Sequence, residues 1–430
     1  MSSSSDQGQR AVPSETVANE RAKSQSDCPY RQATLLQQVL APDKMRIAFF
    51  LGAGCPMAIR VPDGQGGLKP LIPDIRGLTD QVCRSLELCE KQKTSLAIIL
   101  QRLIDAGNPQ PTIEDILSLV RTLHQIAGGG DIGGLSREDF SELEIQICTI
   151  TNSIVNVELP NSQSPYHDLA SWIAGIRRVH PVEVFTSNYD LLMEQAFEEC
   201  RVPYFDGFVG SHRTFFDLTS MEQDNLPARW ARLWKVHGSI NWRRTADGEV
   251  ERRSDPASTG SDCPLIYPSH LKYDQSRRMP YLAMLDRLSS FLRRGQAVLV
   301  TCGYSFSDQH LNEIILQELS GNPTAICFAL LFGDRENYSE ALSCAKKRPN
   351  LSLLAVDGAI LGRSDREWHS QENVEHPLHT MAVQTGEMNH RSSSPTERCK
   401  LLLGDFMAFG RFLSSQLPAW QNNEGGNDVE

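Results

Sequence analysis

Short apolar runs alternate along this chain with stretches of helical periodicity. Arg46-Ile47-Ala48-Phe49-Phe50-Leu51 is apolar after its first residue and ends on glycine, the pattern of a parallel strand buried on both faces. Glu183-Val184-Phe185-Thr186 and Leu233-Trp234-Lys235-Val236 repeat it in shorter form, Pro264-Leu265-Ile266-Tyr267 more weakly, and Ala297-Val298-Leu299-Val300 most strongly. Ala325–Phe332 and Leu351–Val356 are expected to be the last two strands. Helices are expected over Tyr30–Leu40, Leu191–Cys200, Leu282–Leu292 and 308–319, the last capped by Ser307 or Asp308, with a C-terminal helix in Leu401–Leu417. Strands that alternate with helices predict an α/β fold with a doubly wound, mostly parallel sheet.

Two stretches interrupt the alternation. Val61–Pro73 is rich in Pro, Asp and Gly and reads as a loop. Beyond it, apolar residues recur at helical spacing: Leu78, Val82, Leu86 and Leu88, then Ile98, Leu100, Leu103 and Ile104, then Ile116, Leu117, Leu119 and Val120. A connector with five glycines follows in 128–134, then a helix over about Glu142–Val157. Residues 76–160 therefore look like an all-helical insertion between two sheet strands. The expected organisation is a Ser-rich, loosely ordered arm (1–27) and an α/β nucleotide-binding domain (28–361) that carries the insertion. A polar loop insertion (362–397) holding four of the eleven histidines follows, then a C-terminal helix and tail (398–430).

Composition narrows the picture. The 430 residues carry a formal net charge of -11, which argues against a surface built as a nucleic-acid footprint. Three arginine pairs, Arg243-Arg244, Arg252-Arg253 and Arg277-Arg278, read as a solvated face or as carboxylate partners. The eleven cysteines are scattered, with no Cys-x-x-Cys, so neither a zinc ribbon nor any other metal site is expected. Cys148, Cys302 and Cys327 lie in apolar runs and suit buried thiols in a reducing cytoplasm. No apolar stretch has the length of a membrane span and the N-terminus lacks the apolar core of a signal peptide, so a cytoplasmic protein with no membrane contact is expected.

Candidate chemistry gathers where strands end. Gly52-Ala53-Gly54 follows the first strand; glycines there allow backbone to approach a pyrophosphate, although a lone Gly-x-Gly is as often a tight turn. Thr186-Ser187-Asn188-Tyr189-Asp190 follows the second, and Asp190 is equally well read as the cap of the next helix. His237-Gly238 follows the third, where a single histidine is more often structural than catalytic. Gly303-Tyr304-Ser305-Phe306-Ser307-Asp308 is a second glycine turn into a helix. In a parallel sheet such positions converge on one crevice, and that convergence raises the standing of Asn188 and His237.

This order of motifs, with Pro73-Asp74-Ile75-Arg76 after the first, resembles the sirtuin superfamily over roughly 45–60, 72–78, 183–200, 233–240 and 297–316. The resemblance implies a Rossmann-like fold that binds NAD+. It implies that Asn188 and Asp190 face the nicotinamide ribose and carboxamide, and that His237 acts as a general base toward ribose or water. Gly52, Ala53, Gly54, Ser187, Gly303, Tyr304 and Ser305 would lie along the dinucleotide, with Asp74 and Arg76 on the cofactor loop. Three departures stand out: the four-cysteine zinc module is missing, Cys55 replaces the usual serine, and a helical insertion separates the cofactor loop from Asn188.

Thr186-x-Asn188-x-Asp190 before a helix and Gly303-Tyr304-Ser305-Phe306-Ser307-Asp308 look like the bacterial sirtuin-like proteins of anti-phage defence. That resemblance implies hydrolysis of NAD+ to ADP-ribose and nicotinamide, a homo-oligomer, and in some systems a hexameric DNA-translocase-type ATPase as partner. Two other readings stay open: a protein deacylase, and an NAD+ or ADP-ribose sensor that drives assembly without turnover.

Overall fold

Nine strands share one sheet in the computed structural model, which describes residues 28–41, 44–128, 130–245, 248–253, 265–266, 279–370, 378, 380–385 and 397–417. In chain order they are β1 (Arg46–Leu51), β2 (Glu183–Thr186), β3 (Tyr204–Phe205), β4 (Ala231–Lys235), β5 (Ala297–Cys302), β6 (Ile326–Leu330), β7 (Leu351–Leu354), β8 (Gly358–Leu361) and β9 (Ser364–Glu367). Their order across the sheet is β9-β8-β7-β6-β5-β1-β2-β4-β3. The first seven pair in parallel, and β8 and β9 add an antiparallel edge. From β1 the chain builds outward through β2 to one edge, then returns to lay β5 on the other side of β1. The direction of winding therefore reverses at β1, where doubly wound sheets open their ligand crevice.

The sheet is apolar on both faces because alternate residues of each strand enter different cores. Ile47, Phe49 and Leu51 join one cluster with Val184, Val298 and Val300; Ala48 and Phe50 join the other with Phe185, Trp234 and Leu299. On the first face Phe49 meets Trp172 edge-on at 5.5 Å and Phe409 at 6.0 Å. These rings belong to helices Pro165–Gly175 and Phe406–Ser414. On the second face helix Tyr281–Arg293 supplies Phe291, which packs on Phe185 at 6.1 Å.

Four helices, Ile75–Leu86, Glu90–Asp105, Ile113–Ile126 and Arg137–Val155, occupy the stretch read as a helical insertion. Two of them begin with reciprocal capping boxes, Thr112/Asp115 and Ser136/Asp139, which satisfy otherwise orphaned N–H groups.

Three stretches hold more structure than the periodicity predicts. The Val61–Pro73 loop contains a hairpin, Arg60–Pro62 against Leu68–Pro70, closed by Asp63, whose carboxylate accepts the N–H groups of Gln65 and Gly67 at 2.7 and 2.9 Å. Leu351–Leu354 is not the last strand: β8 and β9 follow it, and β9 lies in the stretch read as a polar insertion. That stretch also carries His369–Ser370 and Val383–Thr385, each paired with Glu397–Leu401. The final helix starts only at Phe406, after Asp405 accepts the Met407 N–H at 3.0 Å. Strand partners far away in sequence decide these cases, and local patterns do not encode them. The N-terminal arm and the Arg277-Arg278 pair lie outside the described residues. No helix among the described residues is long and apolar enough to cross a membrane.

Candidate functional site at the strand ends

Register sets the level of the site. Leu51 stands opposite Cys302 on one side and Thr186 on the other, and Thr186 stands opposite Lys235. The loops after β1, β2, β4 and β5 therefore leave the sheet side by side, as the sequence motifs require.

The two glycine turns are packed against each other. Gly52 N–H donates to the Cys302 carbonyl and Gly54 N–H to the Gly303 carbonyl, both at 2.9 Å. A Cβ on Gly52 would lie 2.3 Å from the Gly303 oxygen, and one on Gly54 2.8 Å from the Gly303 Cα. Gly303 itself has φ +65, and its own Cβ would meet the Cys55 nitrogen at 2.5 Å. The fold thus requires all three glycines for close approach of two backbones, whatever ligand lies above them. Cys55 seals the contact from below. Its thiol donates to the Cys302 carbonyl at 3.2 Å, and burial pushes it well above the ordinary cysteine range.

Asn188 is tied to the same junction. Its Nδ2 donates to the Gly52 carbonyl at 3.1 Å, and its N–H donates to Thr186 Oγ1 at 3.0 Å. Thr186 in turn donates to the Leu51 carbonyl at 2.9 Å, and Ser187 N–H reaches that carbonyl at 3.3 Å. The half-buried Asn188 is thereby held across β1 and β2. Tyr189, beside it, points the other way: its hydroxyl donates to Glu114 at 2.6 Å, linking this loop to the helical insertion.

Asp190 accepts the Leu192 N–H at 3.1 Å from one residue before the cap of helix Leu192–Glu199. The cap itself is Leu191, which makes no side-chain capping bond, so Asp190 is not the cap the sequence offers. Burial pushes its carboxyl up to about 6, against the opposing pull of the Lys235 charge. Lys235 is fully buried; its ammonium donates to the Asp190 carbonyl and pairs with Glu194 at 2.8 Å.

His237 follows β4, whose extension is kept by Val236 N–H donating to the Thr186 carbonyl at 2.9 Å. Its Nε2 lies 3.0 Å from Asp308 Oδ2, and the two side chains are only 9% and 12% exposed. Read from sequence, Asp308 is simply a helix cap. It is one, accepting the Leu311 N–H at 3.1 Å, but it also faces the histidine, a contact with no local signature.

The remaining candidates divide. Ala53 and Ser305 are exposed at the rim, with Ser305 Oγ 2.9 Å from Ser307 Oγ. Tyr304 directs its side chain into the scaffold, packing on Phe50 at 4.8 Å and donating to Asn312 at 2.8 Å. Asp74 caps helix Ile75–Leu86 through the Gly77 N–H at 2.8 Å, and Arg76 is exposed in its first turn. Neither Asp74 nor Arg76 bonds to the four loops among the described residues. Of the arginine pairs, Arg252 binds Asp206 at 2.6 Å and the buried Arg243 donates to the Ile240 and Trp242 carbonyls, as structural partners do. Among the described residues no group of three or more His, Cys, Asp or Glu is placed to hold a metal ion.

Residues 182–350, from the edge of β2 to the start of β7, match the family model of the SIR2-like domain. That span contains Asn188, His237 and Asp308 but not the Gly52–Gly54 turn. No curated protein matches the chain. Among solved structures, a Sir2 enzyme from a study of Sir2 mechanism and regulation is similar at 11% identity and a TM-score of 0.35, over 75% of this chain and 90% of that one. A serine-to-alanine mutant of a Sir2 homologue with ADP-ribose shares 13% identity at a TM-score of 0.30, over 69% and 83%. A Sir2 homologue with NAD also shares 13%, at a TM-score of 0.29, over 74% and 87%.

Proposed function

We propose that the protein is an NAD+ glycohydrolase, which cleaves NAD+ with water to ADP-ribose and nicotinamide. One observation carries this reading: Asn188, anchored to Gly52 across the central strands, and His237, paired with Asp308, stand at strand ends that register aligns, in the segment matching the SIR2-like domain. Nucleotide binding alone has no use for a buried histidine–carboxylate pair.

The chemistry follows from the bond to be broken. Departure of nicotinamide builds positive charge on the ribose, and the electron pair of the C–N bond leaves with the base. Water then forms the new C–O bond and must give up a proton. His237, a side chain that can accept a proton, takes that proton. Asn188 both donates and accepts hydrogen bonds and orients the ribose hydroxyl or the water. Asp190 lies at the nicotinamide end, where its negative charge favours the cationic ribose. The exposed Ser305 offers a hydroxyl contact along the phosphates, beside the Gly52, Gly54 and Gly303 turns, where the Gly52 and Gly54 N–H groups are already bonded within the fold. As a cytoplasmic effector of anti-phage defence the enzyme would deplete NAD+, and its turnover would be gated by homo-oligomerisation or by a hexameric DNA-translocase-type ATPase.

Incubation of the purified protein with NAD+, with and without lysate from phage-infected cells, followed by chromatography, tests the reading. The wild type is expected to release nicotinamide and ADP-ribose, and His237→Ala to lower the rate by ~10²–10⁴-fold. NAD+ that is bound yet stays intact in every condition rejects hydrolysis in favour of a sensor. Turnover that appears only with an acylated peptide rejects it in favour of a deacylase.

A further inference from the structure

Asp308 opens helix Gln309–Gly321, and the requirements of a cap do not account for it. Capping uses one acceptor oxygen, and Asn and Ser serve about as well as Asp. Here Oδ1 accepts the Leu311 N–H at 3.1 Å, while Oδ2 lies 3.0 Å from His237 Nε2. One carboxylate thus joins the helix start to the imidazole.

The loop that presents Asp308 is held from several sides. Tyr304 donates its hydroxyl to Asn312 Oδ1 at 2.8 Å, and Asn312 Nδ2 donates to the Phe306 carbonyl at 2.6 Å. Phe306 is kept at φ 61, a left-handed conformation that a bulky side chain adopts only when its surroundings impose it. Asn312 N–H closes onto the Asp308 carbonyl at 3.0 Å. Such bracing fixes where the carboxylate sits, and burial of the pair shields its charge from water.

We propose that Asp308 is the positioning residue for His237 in the hydrolysis proposed above, on which this inference rests. Its carboxylate accepts the Nε2–H and thereby fixes the tautomer whose basic lone pair is on Nδ1. When water attacks the ribose carbon, its O–H bond breaks and the proton passes to Nδ1. The carboxylate then stabilises the resulting imidazolium without itself taking a proton.

Asp308→Asn separates this role from capping, because asparagine keeps the cap but loses the charge. Asp308→Ser also keeps the cap and is too short to reach His237. Steady-state nicotinamide release by the full chain is measured for wild type, both variants, His237→Ala and the Asp308→Asn/His237→Ala pair, alongside thermal unfolding. For Asp308→Asn the expected result is kcat lower by about 10²-fold or more, with KM and the unfolding midpoint nearly unchanged. Asp308→Ser should lose a similar factor. Without His237, Asp308→Asn should add no further loss.

Wild-type turnover in Asp308→Asn, or its full loss repeated in the absence of His237, overturns the inference. The imidazole ¹⁵N resonances of His237, assigned by their absence in His237→Ala, read the pair independently of turnover. An Nε2–H tautomer in wild type that changes in Asp308→Asn supports the pairing, and identical spectra refute it. If NAD+ stays intact while the resonances change, the hydrolysis reading fails and the pairing stands.

Discussion

The two ends of the central strands carry buried charge in opposite ways. At their beginnings, Glu183 accepts from Trp234 Nε1 at 2.7 Å, Arg287 Nε at 2.9 Å and Arg46 Nη2 at 3.4 Å. Asp224 completes the set with Arg232 at 2.9 Å and Arg287 at 2.5 Å. Arg232, fully buried, directs its other N–H groups to the Trp230 and Leu226 carbonyls. Burial works to raise the Asp224 carboxyl, yet Arg287 and Arg232 outweigh it and hold the group below the usual range. Two carboxylates thus meet three guanidiniums in a closed network, flanked by Trp234 and Phe291.

At the strands' other ends, burial prevails over pairing at Asp190, and Asn188 is only half-buried beside exposed Ala53 and Ser305. The contrast shows that buried charge alone does not mark a site. What marks one is ionisable and amide groups held rigidly at the switch of the sheet, with part of their surface open.

Breaking the closed end should have the largest effect on stability. Glu183→Ala leaves Arg287 to Asp224 alone, Arg46 to backbone carbonyls and Trp234 Nε1 without its acceptor. A loss of about 3–5 kcal/mol in denaturant unfolding is expected, with NAD+ binding by the remaining folded protein unchanged. A variant of normal stability that no longer turns over NAD+ would erase the distinction between the ends. Gly303→Ala attacks the open end through its backbone. A side chain at φ +65 that collides with Cys55 should cost about 2–4 kcal/mol and separate the two glycine turns, so that NAD+ binding by calorimetry weakens together with stability.

Asp190→Asn sharpens the comparison through pH. The folded carboxyl titrates at about 6 against an ordinary 3.8, so the folded state holds the proton more tightly than the unfolded chain. Stability is unaffected by this group below about 3.8, falls as pH rises through 6, and is lower by up to about 3 kcal/mol above it. Asparagine keeps an acceptor for the Leu192 N–H without the charge. The variant should therefore gain on wild type in unfolding midpoint between pH 4 and pH 8. An offset independent of pH would show that the Lys235 charge cancels the effect of burial at Asp190.

Much of this was legible along the chain. β1 and β5 announce themselves because strands apolar on both faces need no partner information to be recognised. Asn188 and His237 stand out because a parallel sheet sends every strand end to one side. The capping of helix Gln309–Gly321 by Asp308 is local chemistry, visible within four residues. The reason the glycines are needed was not legible: Gly52, Gly54 and Gly303 read as room for phosphate, while their collision is with one another.

Composition and period thus determined the sheet, its direction and the residues at its ends, because those depend on neighbours one to four positions away. Only the tertiary structure decided that Asp308 turns its second oxygen to His237, that Tyr189 ties the site to Glu114 in the helical insertion, and that β8 and β9 extend the sheet. Each of these joins residues that no local pattern relates, and they meet only after the whole chain has packed.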